Sequence, residues 1–196
     1  VVASGSFVGT TSGPTPSARP FVAFTWVDGV PLDARPVKEG PEGVREALVV
    51  AADAAEALAD LHGIGAGHGD VKPQNLIVDA RGRVHAIDLG LCVGAFSTDL
   101  AGATARYLAA EDGELGDARA RDLLALGVVL AERASATVRA ARDAVAVARA
   151  AVLPAPLDEI CGAILSRSPT ARASARWGTD IAIDHEAYAS ALLSPP

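Results

Sequence analysis

Four residues close together in the chain carry groups that could act on a phosphoryl group: Asp70, Lys72 and Asn75 in "GHGDVKPQN", and Asp88 shortly after. Phosphoryl transfer needs a carboxylate to orient the attacking hydroxyl and take its proton, and a cation to neutralise charge on the moving group. It also needs hard oxygen ligands for magnesium. Asp70, Lys72, Asn75 and Asp88 supply that set. Lys72 is one of only two lysines in a chain that otherwise writes positive charge as arginine. A compact ammonium with three donors suits a phosphate differently from a planar guanidinium fork. The same stretch also reads as a polar turn in which Asp70 and Asn75 cap local backbone groups.

The elements around these residues would hold them. Upstream, "PEGVREALVVAADAAEALADLH" (41–62) has helical periodicity, with Val44, Leu48, Ala52, Ala55 and Leu58 on one face. Downstream, "NLIVDARGRVHAIDL" (75–89) reads as two strands around an Ala-Arg-Gly turn, so the hairpin should return Asp88 toward Asn75. Helices are expected at 118–134, 138–152 and 155–168. Before them, "SFVG" suggests a short strand, 10–20 a loose loop, and "FVAFTWV" (21–27) a buried strand ended by the turn residues "DGVP".

Composition sets the outer limits. At 196 residues, 50% of them hydrophobic, the chain can build one substantial core. Its net charge of −7 argues against nucleic acid or an anionic membrane as main partner, since both reward basic clusters. Cys92 and Cys161 have no metal spacing, no apolar run is long enough to span a bilayer, and no signal peptide is visible at the start; the expectation is a reduced, cytoplasmic chain. With no methionine, not even an initiator, it reads as a fragment.

The order of motifs resembles the C-terminal lobe of the eukaryotic-type protein kinases, especially bacterial serine/threonine kinases. "HGDVKPQN" is similar to the catalytic loop H-R-D-x-K-x-x-N. "DLG" (Asp88, Leu89, Gly90) is similar to D-F-G, and "ATARYLAAE" (103–111) to the end of the activation segment. "RDLLALGVVLAE" resembles the central helix with its buried aspartate, "SPTARAS" the late arginine turn, and "FVAFTWVDGVPL" the last small-lobe strand entering the hinge.

The resemblance implies an α+β fold: a mainly helical lobe over 36–196 with a catalytic-loop hairpin, a hinge at 27–35, and a remnant of the small lobe at 1–26. It implies transfer from Mg-ATP to a protein serine or threonine, with Asp70 as base and Lys72 as the phosphate-facing cation. Asn75 and Asp88 would hold Mg2+, and Thr104 would bond to the base and the lysine. Backbone groups of Thr25 and Val27 would meet adenine, with Ile77 packed beneath it and Phe24 at the back of the pocket. His68 and Asp122 would brace the loop, and Glu111 would pair with Arg172. Phe24 and Ile77 are equally well read as plain core.

Departures accompany the matches. Gly69 stands where the family has arginine, Leu89 where it has phenylalanine, and Ala103 and Ala110 where it has glycine and proline. Residues 1–26 hold neither lysine nor glutamate, so the phosphate-gripping lysine and its partner are missing and the 196 residues alone are expected to transfer little phosphate. "GSFVG" reads as a strand and turn rather than a phosphate loop. His62 and His85 read as helix-end and strand-face polar residues, not metal ligands. Ser97 and Thr98 are candidate phosphorylation sites. The tail after 180 reads as a capping helix or a linker. Two other functions stay open: a non-catalytic binding module, and a small-molecule phosphotransferase of the aminoglycoside or choline kinase type, whose loop is H-G-D-x-x-x-x-N but which generally lacks Lys72 and the activation-segment motif.

Gly69 offers a phosphorylated activation segment no cation, so the whole protein is expected to work without phosphorylation there. Its initial rate on a serine/threonine substrate should be the same before and after phosphatase treatment and in a Ser97→Ala/Thr98→Ala variant. A tenfold drop on dephosphorylation, worth about 1.4 kcal/mol of transition-state stabilisation, would refute this.

Overall fold

The computed structural model describes residues 3–8, 18–94, 102–109, 117–168 and 172. Glu111, Ala110, Ser97, Thr98 and the tail after 172 lie outside them, as does the expected pairing of Glu111 with Arg172. Among the described residues the architecture is α+β and mostly helical, with small antiparallel sheets.

In chain order the elements are β1 (Ala3–Val8), β2 (Ala18–Ala23), β3 (Gly29–Pro31), α1 (Gly40–Gly63), β4 (Ala66–Gly67), β5 (Leu76–Asp79), β6 (Val84–Ala86), β7 (Val93–Gly94), α2 (Ala118–Ala134), α3 (Ala136–Ala140), α4 (Ala144–Ala150) and α5 (Leu157–Ile164). β1 pairs with β2, β5 lies between β3 and β6, and β4 pairs with β7.

The axis of the molecule is α2. Leu124, Leu126, Val128, Val129 and Leu130 are all fully buried, so the helix is apolar around its circumference and packs against α1, α3, α4 and α5. Its start is set by Asp117, whose carboxylate accepts from the amides of Arg119 at 3.0 Å and Ala120 at 3.4 Å. Glycine lets α5 approach. A Cβ on Gly127 would lie 2.9 Å from both Ile164 Cγ1 and Leu165 Cδ2.

α1 buries most of the expected face: Leu48, Ala55 and Leu58 are buried, and Val44 packs partly buried against the same core. Ala47, Val50, Ala51 and Ala54 are also buried, whereas Ala52 is only partly so. Small alanines let α1 sit close to its neighbours, and the stripe is set by that packing, not by the largest residues. On its hairpin side, Asp53 Oδ2 accepts from Val84 N at 2.8 Å and fixes β6 on the helix. The turn between β5 and β6 is built by Asp79, whose Oδ1 accepts from Arg81 N at 2.8 Å and Arg83 N at 2.9 Å, with Gly82 at φ 82°.

Two expectations are corrected. The strand expected through 27 stops at Ala23, and Phe24 (53% exposed) and Trp26 (86%) face solvent: β1 and β2 pair only with each other among the described residues, so nothing described covers this stretch. The helix expected over 138–152 is two helices, α3 and α4. Asp143 starts the second by accepting from Ala146 N at 2.9 Å, competing with helix continuation through 141–143.

Arg133, at the end of α2, positions the segment before α1. It donates to the carbonyls of Leu32, Arg35 and Pro36 at 3.4, 3.2 and 3.0 Å and lies 3.2 Å from Glu46 Oε2. Cys92 is exposed and Cys161 buried, both as free thiols; burial pushes Cys161 up to about 12. No helix among the described residues is long and apolar enough to cross a membrane.

Replacing Gly127 by valine should force α2 and α5 apart. The overpacking costs about 1–3 kcal/mol, and the variant's denaturation midpoint should fall with an unchanged m-value.

Candidate active site

The loop between β4 and β5 hangs on one buried carboxylate. Asp122, in α2 and 1% exposed, accepts from His68 N at 2.7 Å and Gly69 N at 3.0 Å, and His62 Nε2 lies 2.9 Å from its Oδ2. His62, at the helix end as expected, is delivered by the last turn of α1 as a brace for this carboxylate. Its partner is 60 positions away, which no local pattern signals. His68 completes the frame. Its Nε2 donates to Ile87 O at 3.0 Å while its Nδ1 accepts from Asp70 N at 3.3 Å, bonds that together require the Nε2–H tautomer.

On this frame the expected residues meet. Lys72 Nζ lies 2.5 Å from Asp70 Oδ2 and donates to Thr104 Oγ1 at 3.2 Å. Thr104 in turn donates twice to Asp70 Oδ1, from Oγ1 at 2.7 Å and from its amide at 3.1 Å. Asn75 Nδ2 donates to Asp70 O at 2.9 Å and approaches Asp70 Oδ2 at 3.3 Å. The Asp70 carboxylate, 8% exposed, is thus held from three directions. Burial pushes its pKa up, but the hydrogen bonds from Lys72 and Thr104 and the charge of Lys72 outweigh this and hold it below the usual carboxylate range.

Asp88 is brought to the same end of the hairpin, because Ile87 N donates to Asn75 O at 2.9 Å. It is the only non-glycine residue with positive φ among the described residues, at φ 63° and ψ 67°, and its Oδ1 accepts from Gly90 N at 3.3 Å. Leu89 and Gly90 form the short turn that follows. Asn75 spends its amide nitrogen on Asp70 and keeps its Oδ1 unbonded among the described residues; with the exposed Asp88 carboxylate this gives two hard oxygen donors. Such a pair fits magnesium, which is bound by one or two protein oxygens completed by phosphates and water. No cluster of three or more His, Cys, Asp or Glu suited to a metal occurs among the described residues.

The remaining expected residues stand apart. Ile77 is buried in β5, 7% exposed, opposite Pro31 of β3 and His85 of β6. Thr25 is exposed and Val27 half-buried, both in the irregular stretch before β3. His85 lies 3.0 Å from Asp79 across the hairpin. Arg172 is fully buried. The most prominent cavity, about 500 Å3, opens beside the start of α1 and the end of α2 and holds none of these side chains.

Gly69 has a positive reason to be glycine. Its φ is +83°, and a Cβ would sit 2.3 Å from Leu91 O; Leu91 also packs on Gly102, where a Cβ would come within 2.9 Å of its Cδ2. The Leu91 backbone thus occupies the ground that an arginine side chain would need to leave from.

With this geometry in view, the similarities to known proteins acquire a meaning. No family model matches the chain. It is 37% identical over 132 residues to the serine/threonine-protein kinase PknB of Mycobacterium tuberculosis (63% of this chain, 20% of PknB). It is 36% identical over 115 residues to "Probable serine/threonine-protein kinase pknA2" of Bifidobacterium longum (56% and 15%), and 29% identical over 118 residues to PrkC of Bacillus subtilis (57% and 18%). Over that stretch the chain is homologous to bacterial serine/threonine-protein kinases, as its motifs imply. The matches span only about a fifth or less of each of these relatives.

Removing one donor should be visible in the titration of Asp70. Its depressed folded-state pKa adds stability that is present above the unfolded-state value and is lost as pH falls through the folded one. Thr104→Val should raise the Asp70 pKa and move that loss to higher pH. Carboxyl-carbon NMR titration reads the shift, and an unmoved Asp70 resonance would show that Thr104 does not donate to it.

Proposed function

We propose that this chain carries the catalytic centre of a protein serine/threonine kinase, transferring phosphate from Mg-ATP to a protein hydroxyl. The observation that carries the reading is the Asp70 carboxylate, buried yet held ionised, with Lys72 and Thr104 both bonded to it. In this reading Asp70 orients the acceptor hydroxyl and takes its proton, and Lys72 stays beside it as the cation nearest the developing charge. Thr104 ties the activation segment to that pair, so the surface meeting the substrate is fixed relative to the base. Mg-ATP would supply the phosphoryl group and the divalent charge. Asn75 and Asp88 would hold the metal, while Ile77 and the backbone of Thr25 and Val27 would line the adenine site.

The Lys72 to Thr104 bond favours a protein hydroxyl over a small-molecule acceptor, because it joins the catalytic loop to a segment resembling the one on which protein kinases seat their substrates. A cytoplasmic signalling role follows from the same reading.

The test uses the whole protein with radiolabelled ATP and magnesium, offered a serine/threonine protein substrate, an aminoglycoside and choline. Label should enter the protein alone, and Asp70→Asn should lower the rate by about 10²–10⁴, the usual contribution of a general base. Activity within tenfold of wild type in Asp70→Asn, or label entering only a small molecule, would overturn the reading.

A further inference from the structure

Next to Thr104, the turn Ala105–Tyr107 carries a dense set of charged bonds, and the catalytic reading above gives it no role. Arg106 Nε donates to Glu132 Oε1 at 2.8 Å, and its Nη2 lies 2.6 Å from the same oxygen. The rest of the guanidinium reaches carbonyls at and just beyond the end of α3: Nη2 donates to Val138 O at 3.1 Å and Arg139 O at 2.9 Å, and Nη1 to Ala141 O. The other Glu132 oxygen accepts from the Tyr107 hydroxyl at 3.2 Å. Glu132 and Tyr107 are 6% and 7% exposed, so this carboxylate has no water to fall back on, and Arg106 and Tyr107 are what compensate it.

The turn transmits this anchorage to Thr104. Tyr107 N donates to Thr104 O at 3.0 Å and Leu108 N to Ala105 O at 3.2 Å, closing a hydrogen-bonded turn that contains the arginine and begins at Thr104. From the start of that turn, Thr104 donates its amide and hydroxyl to Asp70. Arg106 is thus fully engaged, not a free cation awaiting a phosphate.

We propose that Arg106 is a positioning residue: by clamping its turn onto Glu132 and the end of α3, it fixes Thr104 against Asp70 and Lys72 and orders this part of the segment without a phosphate. The proposal rests on the kinase reading only for its effect on rate. Amide exchange tests the clamp whether or not the protein transfers phosphate.

The experiment compares wild type, Arg106→Ala and Arg106→Lys in the whole protein, with Arg149→Ala as control. Arg149 makes an analogous staple, donating to Leu165 O at 2.7 Å and Ser166 O at 3.3 Å, but not on this turn. Arg106→Ala should speed exchange of the Thr104, Tyr107 and Leu108 amides at least tenfold while those of 124–130 in α2 stay protected. It should also lower kcat at least tenfold with the KM for ATP within twofold. Arg106→Lys keeps a charge opposite Glu132 but cannot span all three carbonyls, so it should recover part of both effects. If Arg106→Ala does not fold, faster exchange at the three amides in Arg106→Lys supports the clamp and wild-type exchange there refutes it. Exchange in Arg106→Ala no faster than in Arg149→Ala overturns the proposal. Faster exchange with no transfer by any form, wild type included, leaves the clamp standing and overturns the kinase reading instead.

Discussion

The candidate site depends on the buried carboxylate of Asp122. A charge this deep in α2 is tolerated only when fully bonded, and the loop supplies the donors through two consecutive amides, His68 N and Gly69 N. Those amides would themselves be costly to bury unpaired, so each side of the contact requires the other. His62 adds a third donor from α1. One side chain thereby fixes the start of the loop relative to the two longest helices. The positions of Asp70, Lys72 and Asn75 follow within a few residues, too few for the backbone to wander.

Close approach makes this bonding possible. Gly67, just before the loop, lies against Ala118, where a Cβ would come within 2.5 Å of the alanine methyl. With Gly127 facing α5, this lets α2 be approached at its start and at its middle at a distance larger residues would forbid. The apolar packing around α2 sets its position, and Asp122 converts that position into the geometry of the polar loop. Leucines such as Leu124 and Leu130, at about 1.5–3 kcal/mol each for full burial, supply the framework stability against which a buried charge can be held.

Much of this was legible in the sequence, for identifiable reasons. α2 matches its expected bounds because helix-forming residues around the apolar run 123–131 lie between a capping aspartate and a serine, and the β5 and β6 hairpin is announced by Ala-Arg-Gly chemistry. The meeting of Asp70, Lys72, Asn75 and Thr104 followed from motif order, although no local rule places Thr104 on a residue 34 positions earlier. What stayed hidden was long-range or competitive. His62 with Asp122 and Arg106 with Glu132 are polar pairs between distant segments, and single polar residues carry no mark of their partners. The exposure of Phe24 and Trp26 was missed because an apolar, β-branched run reports a tendency to be covered, not the presence of a cover. The break before α4 had a signal, Asp143, outweighed in the reading by the alanines around it.

Gly69 shows how far one departure from a motif can reach. As a missing arginine it suggests only the loss of a cation. In the fold, its left-handed backbone and bare Cα let Leu91 O settle directly on the loop, and the Leu91 side chain then packs against Gly102, near the start of the stretch that carries Thr104. A residue with a Cβ at 69 would have to displace that carbonyl and adopt a conformation that L side chains avoid. The two glycines and Leu91 therefore form a packing link between the loop that carries Asp70 and the stretch 102–107, beside the polar link through Thr104. Two such links, one by packing at Gly102 and one by hydrogen bonds from Thr104 to a buried carboxylate, hold the first half of the stretch 102–107. Order there is built from packing on Leu91, hydrogen bonds to the Asp70 carboxylate and the ion pair of Arg106 with Glu132.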